Sequence, residues 1–155
     1  MGTGTIPFNR KPFPCKFKLF KREPEEELPI TTKHKALIIL VVEDDEANQE
    51  LFTTALSLLT SYHVHAARNS TEALNFVKHM KPSLFILDFR LPQTNGIELY
   101  DQLHAIRGLE NIPAMIISGI KSEQVTRDIE SRKLIRIEKP FDLDAFLDTV
   151  EQALG

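Results

Sequence analysis

Glu43–Asp44–Asp45, the first three of four consecutive acidic residues, follow directly on the apolar run Leu37–Val42, and Asp88 follows the run Leu84–Leu87. Ser118 closes the run Ala114–Ser118, and Lys139, followed by Pro140, closes Leu134–Glu138. If these run ends converge, the crowded carboxylates repel one another and gain proton affinity unless a cation compensates. A hard divalent ion with oxygen ligands meets that need. Mg²⁺ characteristically takes one or two carboxylates, several waters and the phosphate oxygens of a substrate. A carboxylate beside such an ion can attack phosphorus and form an acyl phosphate. Lys139 and the Ser118 hydroxyl would then hold the remaining phosphoryl oxygens, while the ion offsets the charge that develops during transfer.

The elements that must position these groups can be read from periodicity. Leu37–Val42 is a continuous, β-branched-rich run, as expected of a strand buried on both faces. Val64–Ala67 reads as a weak second strand, Leu84–Leu87 as a strong third, and Ala114–Ser118 and Leu134–Glu138 as the fourth and fifth. Helical patterns lie between and after them, at Glu46–Leu59, Thr71–His79, Gly96–Ile106, Glu123–Ile129 and Leu143–Leu154. Within the first, Leu51, Ala55, Leu58 and Leu59 read as the core stripe. Ala73, Leu74 and Val77 serve in the second. Five successive βα units predict an α/β fold: a doubly wound, five-stranded parallel sheet of the flavodoxin-like (βα)5 type with helices on both faces. In such sheets ligands sit beyond the carboxyl ends of the strands. The acidic triplet, Asp88, Ser118 and Lys139 all fall there.

A length of 155 residues predicts one domain with an appendage. Residues 1–35 differ from the rest: they hold five of the nine prolines and a net charge of +4, whereas the remainder carries −7, giving −3 overall. Phe8, Phe13, Phe17 and Phe20 are interleaved with cations there, and no apolar periodicity persists. The reading is a flexible tail over 1–35 and a folded domain over 36–155. The acidic folded part argues against direct nucleic-acid binding. A lone cysteine, Cys15, builds no disulfide framework, and the N-terminus has no apolar run of signal-peptide or spanning length. A cytoplasmic protein is expected, and membrane contact by the tail is not.

Residues 36–155 resemble the receiver domain of two-component response regulators. The segments LIILVVEDDEANQELF, PSLFILDFRLPQTNG, IPAMIISG and RIEKPF carry the likeness in order and spacing. The resemblance implies that Asp88 is the phospho-acceptor, Ser118 the switch hydroxyl and Lys139 the phosphoryl-binding lysine. It implies Mg²⁺ held by Glu43, Asp44, Asp88 and the backbone carbonyl of Arg90, and a cis Lys139–Pro140 peptide. The implied partners are a sensor histidine kinase or histidine phosphotransfer protein and a downstream protein target. With the chain stopping at Gly155, the expectation is a single-domain switch that catalyses its own phosphorylation and dephosphorylation. It would act through protein contacts or by relaying phosphate.

Taken singly, these residues have plainer explanations. Asp44, Asp45 and Glu46 could cap the first helix, Ser118 could cap a later one, and Lys139 could be a solvated lysine. His63 and His65 do not make a convincing metal pair, and nothing around His79 or His104 suggests a phosphorelay role. Gly96 is read as permitting an unusual backbone angle, and Gly119 as leaving room beside Ser118. One position departs from the family: Arg136 stands three residues before Lys139, where an inward-turning aromatic residue is usual. Because burying an unpartnered guanidinium is costly, Arg136 is expected at the surface, paired with an acid or forming a contact face. Arg90 and Ile120 are expected to shield the acyl phosphate from water. Readings from other classes remain open: a pseudo-receiver acting as a phosphorylation-independent interaction module, a flavodoxin-like cofactor binder and a metal-dependent phosphatase. The acidic loop after the first strand disfavours the cofactor binder, and Arg90 disfavours the phosphatase.

Overall fold

The residue pairs Ile39/Val41 and Leu40/Val42 point to opposite faces of one strand, and both faces are buried. That alternation organises the computed structural model, which describes residues 36–155. The expectation of a tail over 1–35 lies outside the described residues. The elements run β1 (Ile38–Val42), α1 (Glu46–Leu59), β2 (His63–Ala67), α2 (Ser70–Val77), β3 (Leu84–Asp88), β4 (Arg90–Leu91), β5 (Thr94–Asn95), α3 (Gly96–His104), β6 (Ala114–Ser118), α4 (Glu123–Ser131), β7 (Ile135–Glu138) and α5 (Leu143–Leu154). The five longer strands form one parallel sheet in the order β2-β1-β3-β6-β7. This is the doubly wound arrangement expected. The short antiparallel β4–β5 ribbon was not foreseen. Two-residue strands carry no periodicity, and the reversal depends on Gln93, whose φ is 66°.

Two apolar layers flank the sheet. Ile39, Val41, Ile86, Met115 and Ile117 pack with Phe52 and Leu56 of α1 and Phe146 and Val150 of α5. Leu40, Val42, Leu87 and Ile116 pack on the other side with residues of α2, α3 and α4. No described helix is long and apolar enough to cross a membrane. The stripe expected for α1 needs correction. Phe52, Ala55 and Leu56 face the core, whereas Leu51 and Leu58 are 48% and 65% exposed. Leu51–Ala55–Leu58 and Phe52–Ala55–Leu56 both satisfy helical spacing, and the aromatic contacts of Phe52 with Phe146 and Phe141 select the second.

Four of the five helix starts are fixed by a side-chain cap, at Asp45, Asn69, Asn95 and Asp142, whereas Ser122 before α4 makes none. Asp45 accepts the Asn48 N–H at 2.8 Å and caps α1, so the capping explanation holds for this member of the acidic triplet. Asn95 accepts the N–H groups of Ile97 and Glu98, both at 2.9 Å, and caps α3. Gly96 is needed here for space rather than for an unusual φ: a Cβ at this position would lie 2.5 Å from the Asp88 carbonyl oxygen. At Gly119 a Cβ would meet Lys139 Cβ at 3.6 Å, an ordinary contact.

Gly96→Ala is therefore expected to destabilise the fold by about 2 kcal/mol, because backbone at both sides must shift. Gly119→Ala is expected to cost less than about 0.5 kcal/mol. Paired urea unfolding curves of the two variants check the contrast.

Candidate functional site

Strand ends bring together residues up to 96 positions apart, from Glu43 to Lys139. The loop after β1 is held by the Glu43 N–H, which donates to the Ala67 carbonyl at 3.0 Å. The Gln49 side-chain amide donates to the carbonyls of both Glu43 (3.1 Å) and Ala67 (3.2 Å). Sequence reasoning missed Gln49; its only signal was its place in the first turn of α1, just after the acidic triplet. On the far side, the Phe89 N–H donates to Ile117 O at 2.8 Å and the Lys139 N–H to Ser118 O at 2.9 Å. These bonds extend the sheet's register past the strands, so Asp88, Ser118 and Lys139 arrive in fixed relation. The Lys139–Pro140 peptide is cis. Just beyond it, Phe141 stacks on Phe52 with centroids 5.7 Å apart, pinning the turn that carries Lys139 to α1.

At the centre, Lys139 Nζ lies 2.8 Å from Asp88 Oδ1 and 3.8 Å from Glu43 Oε2. Glu43 and Asp88 are 2% and 5% exposed, whereas Asp44 is open to solvent. One carboxylate oxygen from each of Glu43, Asp44 and Asp88 lies within 4.8 Å of the others, a spacing that one cation could bridge. Glu43 Oε1 accepts the Asp45 N–H at 3.1 Å, but Oε2 is buried with no hydrogen-bond partner. A buried carboxylate oxygen without a hydrogen-bond partner, on a residue clustered with two other carboxylates, is a donor set that a hard divalent cation fits. Arg90 is exposed and sits in β4, two residues after Asp88.

Burial dominates the electrostatics. It pushes the Glu43 carboxyl up to about 7, helped by the Asp88 charge and opposed by the Asp45 N–H and Lys139. It also pushes Asp88 above the usual aspartate range, with the Lys139 hydrogen bond pulling the other way. Ser118 is buried, and its Oγ accepts the Ile120 N–H at 3.0 Å. That bond uses a lone pair and leaves the hydroxyl proton to be donated. Asp88, Arg90, Ser118, Ile120 and Lys139 line a common cavity of about 260 Å³. The sequence-derived set thus converges, with Glu43 joined to it through Lys139 and Asp44 through the carboxylate cluster.

Arg136 departs from expectation. Its side chain is only 17% exposed, and it does not stand at the surface. In the register Arg136 lies beside Ile116, and Ile137 beside Ile117. Pleat alternation sends Ile137 to the α1/α5 layer and therefore turns Arg136 toward α4. Partners found there offset its burial. It donates to Thr126 Oγ1 at 2.8 Å and to Ile120 O at 2.7 Å, and the half-exposed Glu138 lies 3.4 Å away. The acidic pairing was expected; the hydroxyl and the carbonyl were not.

A family profile, the response regulator receiver domain, matches residues 39–151. The chain belongs to that family, and is a receiver domain of two-component signalling. Among individual relatives it is 27% identical, over 118 residues, to the polar-differentiation response regulator DivK of Brucella anthropi; the match covers 76% of this chain and 95% of that protein. The non-phosphorylated HemR receiver domain of Leptospira biflexa superposes with a TM-score of 0.70 at 28% identity, covering 77% of this chain and 94% of that one. The Vibrio cholerae chemotaxis protein CheY4 (TM-score 0.71, 19% identity, 77% and 99% covered) shares the fold.

The raised Glu43 value has a stability consequence in metal-free protein. A carboxyl near 7 in the folded state and near 4.5 unfolded means that the folded state binds more protons between those pH values. Stability should therefore fall as pH rises from about 4.5 to about 7 and level off above, with Asp88 acting in the same direction. Urea unfolding between those limits in EDTA checks this, and Glu43→Gln should flatten the slope.

Proposed function

We propose that this receiver accepts a phosphoryl group on Asp88 from a phosphohistidine of a sensor kinase or phosphotransfer protein, in a Mg²⁺-dependent reaction. The observation that carries the reading is Lys139 Nζ at 2.8 Å from the Asp88 carboxylate, opposite a carboxylate cluster with an orphaned buried oxygen. Asp88 attacks phosphorus as the donor's N–P bond breaks; the departing imidazole keeps the electron pair and takes a proton from solvent. Lys139, freed from the charge it neutralised on Asp88, follows the negative charge onto the phosphoryl oxygens. Ser118 donates its hydroxyl proton to another of them. Glu43, Asp44, Asp88 and the Arg90 carbonyl would hold Mg²⁺, which when bound offsets charge on the transferring group. Arg90 and Ile120 line the cavity and narrow the approach of hydrolytic water. The acyl phosphate is thus expected to be fairly long-lived, and a half-life of seconds for the adduct would count against this shielding. A domain over 36–155 with this activity acts in the cytoplasm, passing the signal to a downstream protein or relaying the phosphate.

The corrected face of α1 supports a docking place for the donor. Leu51 and Leu58, with Ala47, Leu59 and Leu143, line an open apolar groove of about 510 Å³ that begins one turn from the acidic loop. A protein donor that packs a helix there brings its histidine to the same end of the sheet as Asp88.

Incubation with acetyl phosphate and Mg²⁺ should give one phosphoryl adduct by intact mass, absent from Asp88→Asn and from an EDTA sample. A wild-type chain that stays unmodified with both small-molecule and protein donors would make it a phosphorylation-independent interaction module instead. Leu51→Glu should slow transfer from a phosphorylated histidine phosphotransfer domain roughly tenfold or more while leaving the acetyl phosphate reaction within about twofold, since only the first needs the groove.

A further inference from the structure

Ile120 is held from both sides. Its N–H donates to Ser118 Oγ at 3.0 Å, and its carbonyl accepts from Arg136 at 2.7 Å. The same guanidinium donates to Thr126 Oγ1, and the Thr126 hydroxyl in turn donates to the carbonyl of Ser122, the residue that starts α4, at 3.0 Å. One unbroken set of hydrogen bonds therefore runs from the wall of the Asp88 cavity, through Ile120 and Arg136, to the first turn of α4. On its far side Arg136 lines a second cavity of about 460 Å³ with Lys121, Ser122, Glu123 and Thr126. The arrangement is not fully satisfied, because Arg136 Nε is buried without a partner. A buried donor left unpaired costs enough to bring a second arrangement of the same side chain within reach.

We propose that Arg136 is a positioning residue, a polar latch that ties the β6–α4 loop and the start of α4 to β7 and releases them when Asp88 is modified. The release rests on the phosphoryl-acceptor reading above. When the Ser118 side chain rotates to bring its hydroxyl to a phosphoryl oxygen, Oγ is carried away from the Ile120 N–H and that bond is lost. The Ile120 carbonyl then leaves Arg136, and the loop over 119–122 and the first turn of α4 become free to move. Hydrogen bonds perform here what ring packing performs where the position is aromatic.

Hydrogen exchange of the full chain, followed by mass spectrometry with and without acetyl phosphate and Mg²⁺, tests the latch. In unmodified protein Arg136→Met should raise exchange over residues 119–127 roughly a hundredfold, the loss expected for two charge-assisted bonds at the low end of their range, and Arg136→Lys should fall between. Modification of wild type should raise exchange over the same residues, whereas modified Arg136→Met should show no further rise at equal adduct yield. Thr126→Val removes one partner with little change of shape and should reproduce part of the basal effect should Arg136→Met fold poorly. Unchanged basal protection in both variants would overturn the latch. A modification response in Arg136→Met as large as in wild type would overturn the coupling. A wild type that takes no adduct, read from the same spectra, would instead overturn the acceptor reading and the release that rests on it, leaving the basal comparison to decide the tether.

Discussion

One ammonium group faces three carboxylates at the carboxyl edge of the sheet, and two of those carboxylates are almost wholly out of water. Such an imbalance is unfavourable in any fold, since burial penalises the charged form and like charges oppose one another. Much of the surrounding structure restrains it. The Gln49 amide and the Glu43 N–H tie the acidic loop to the end of β2. The Phe52–Phe141–Phe146 group fixes the turn behind Lys139. Without these restraints the carboxylates could separate into solvent and would no longer present three oxygens at a spacing one cation could bridge. The apolar core thus serves the site by holding a polar arrangement that is poorly stable on its own.

The parallel sheet makes that restraint possible. A hairpin would place only sequence neighbours at one edge, whereas right-handed crossovers return every strand in the same direction and gather four of the five strand ends that matter. Alternation along each strand then sorts consecutive residues between the α1/α5 layer and the α2/α3/α4 layer. Arg136 and Ile137 are adjacent in sequence yet serve different layers. The guanidinium reaches α4 while its neighbour completes the opposite core.

Much of this was legible in the sequence, for identifiable reasons. The strand runs that are buried on both faces, such as Leu84–Leu87 and Ala114–Ser118, contain no polar interruption, so their extent and their ends could be read directly. The candidate site residues are those ends, and the order of motifs favoured a shared site over the plain explanations taken singly, although Asp45 does cap α1. What failed depended on choices that local spacing leaves degenerate. Two overlapping stripes fit α1, and aromatic packing from α5, about ninety residues away, chose between them. The side to which Arg136 turns is set by register with β6, and the partners that make its burial tolerable are a backbone carbonyl and a threonine. A carbonyl has no signature in sequence. For Gly96 the residue type was informative but its cause was not, since close approach and positive φ call for the same amino acid.

That close approach also divides the molecule mechanically. With the first residue of α3 seated against the carbonyl of Asp88, and the Gly96 N–H bonded to Phe89 O at 2.9 Å, α3 and the acceptor strand behave as one body. Any displacement at the acceptor on this side would have to carry a whole helix and its buried Leu99 and Leu103 with it. The β6–α4 segment is held by a handful of side-chain bonds instead. On the proposed modification of Asp88, the domain would resemble a motor with a fixed stator on the α3 side and a movable arm on the α4 side, so force generated there would have one direction in which to do work.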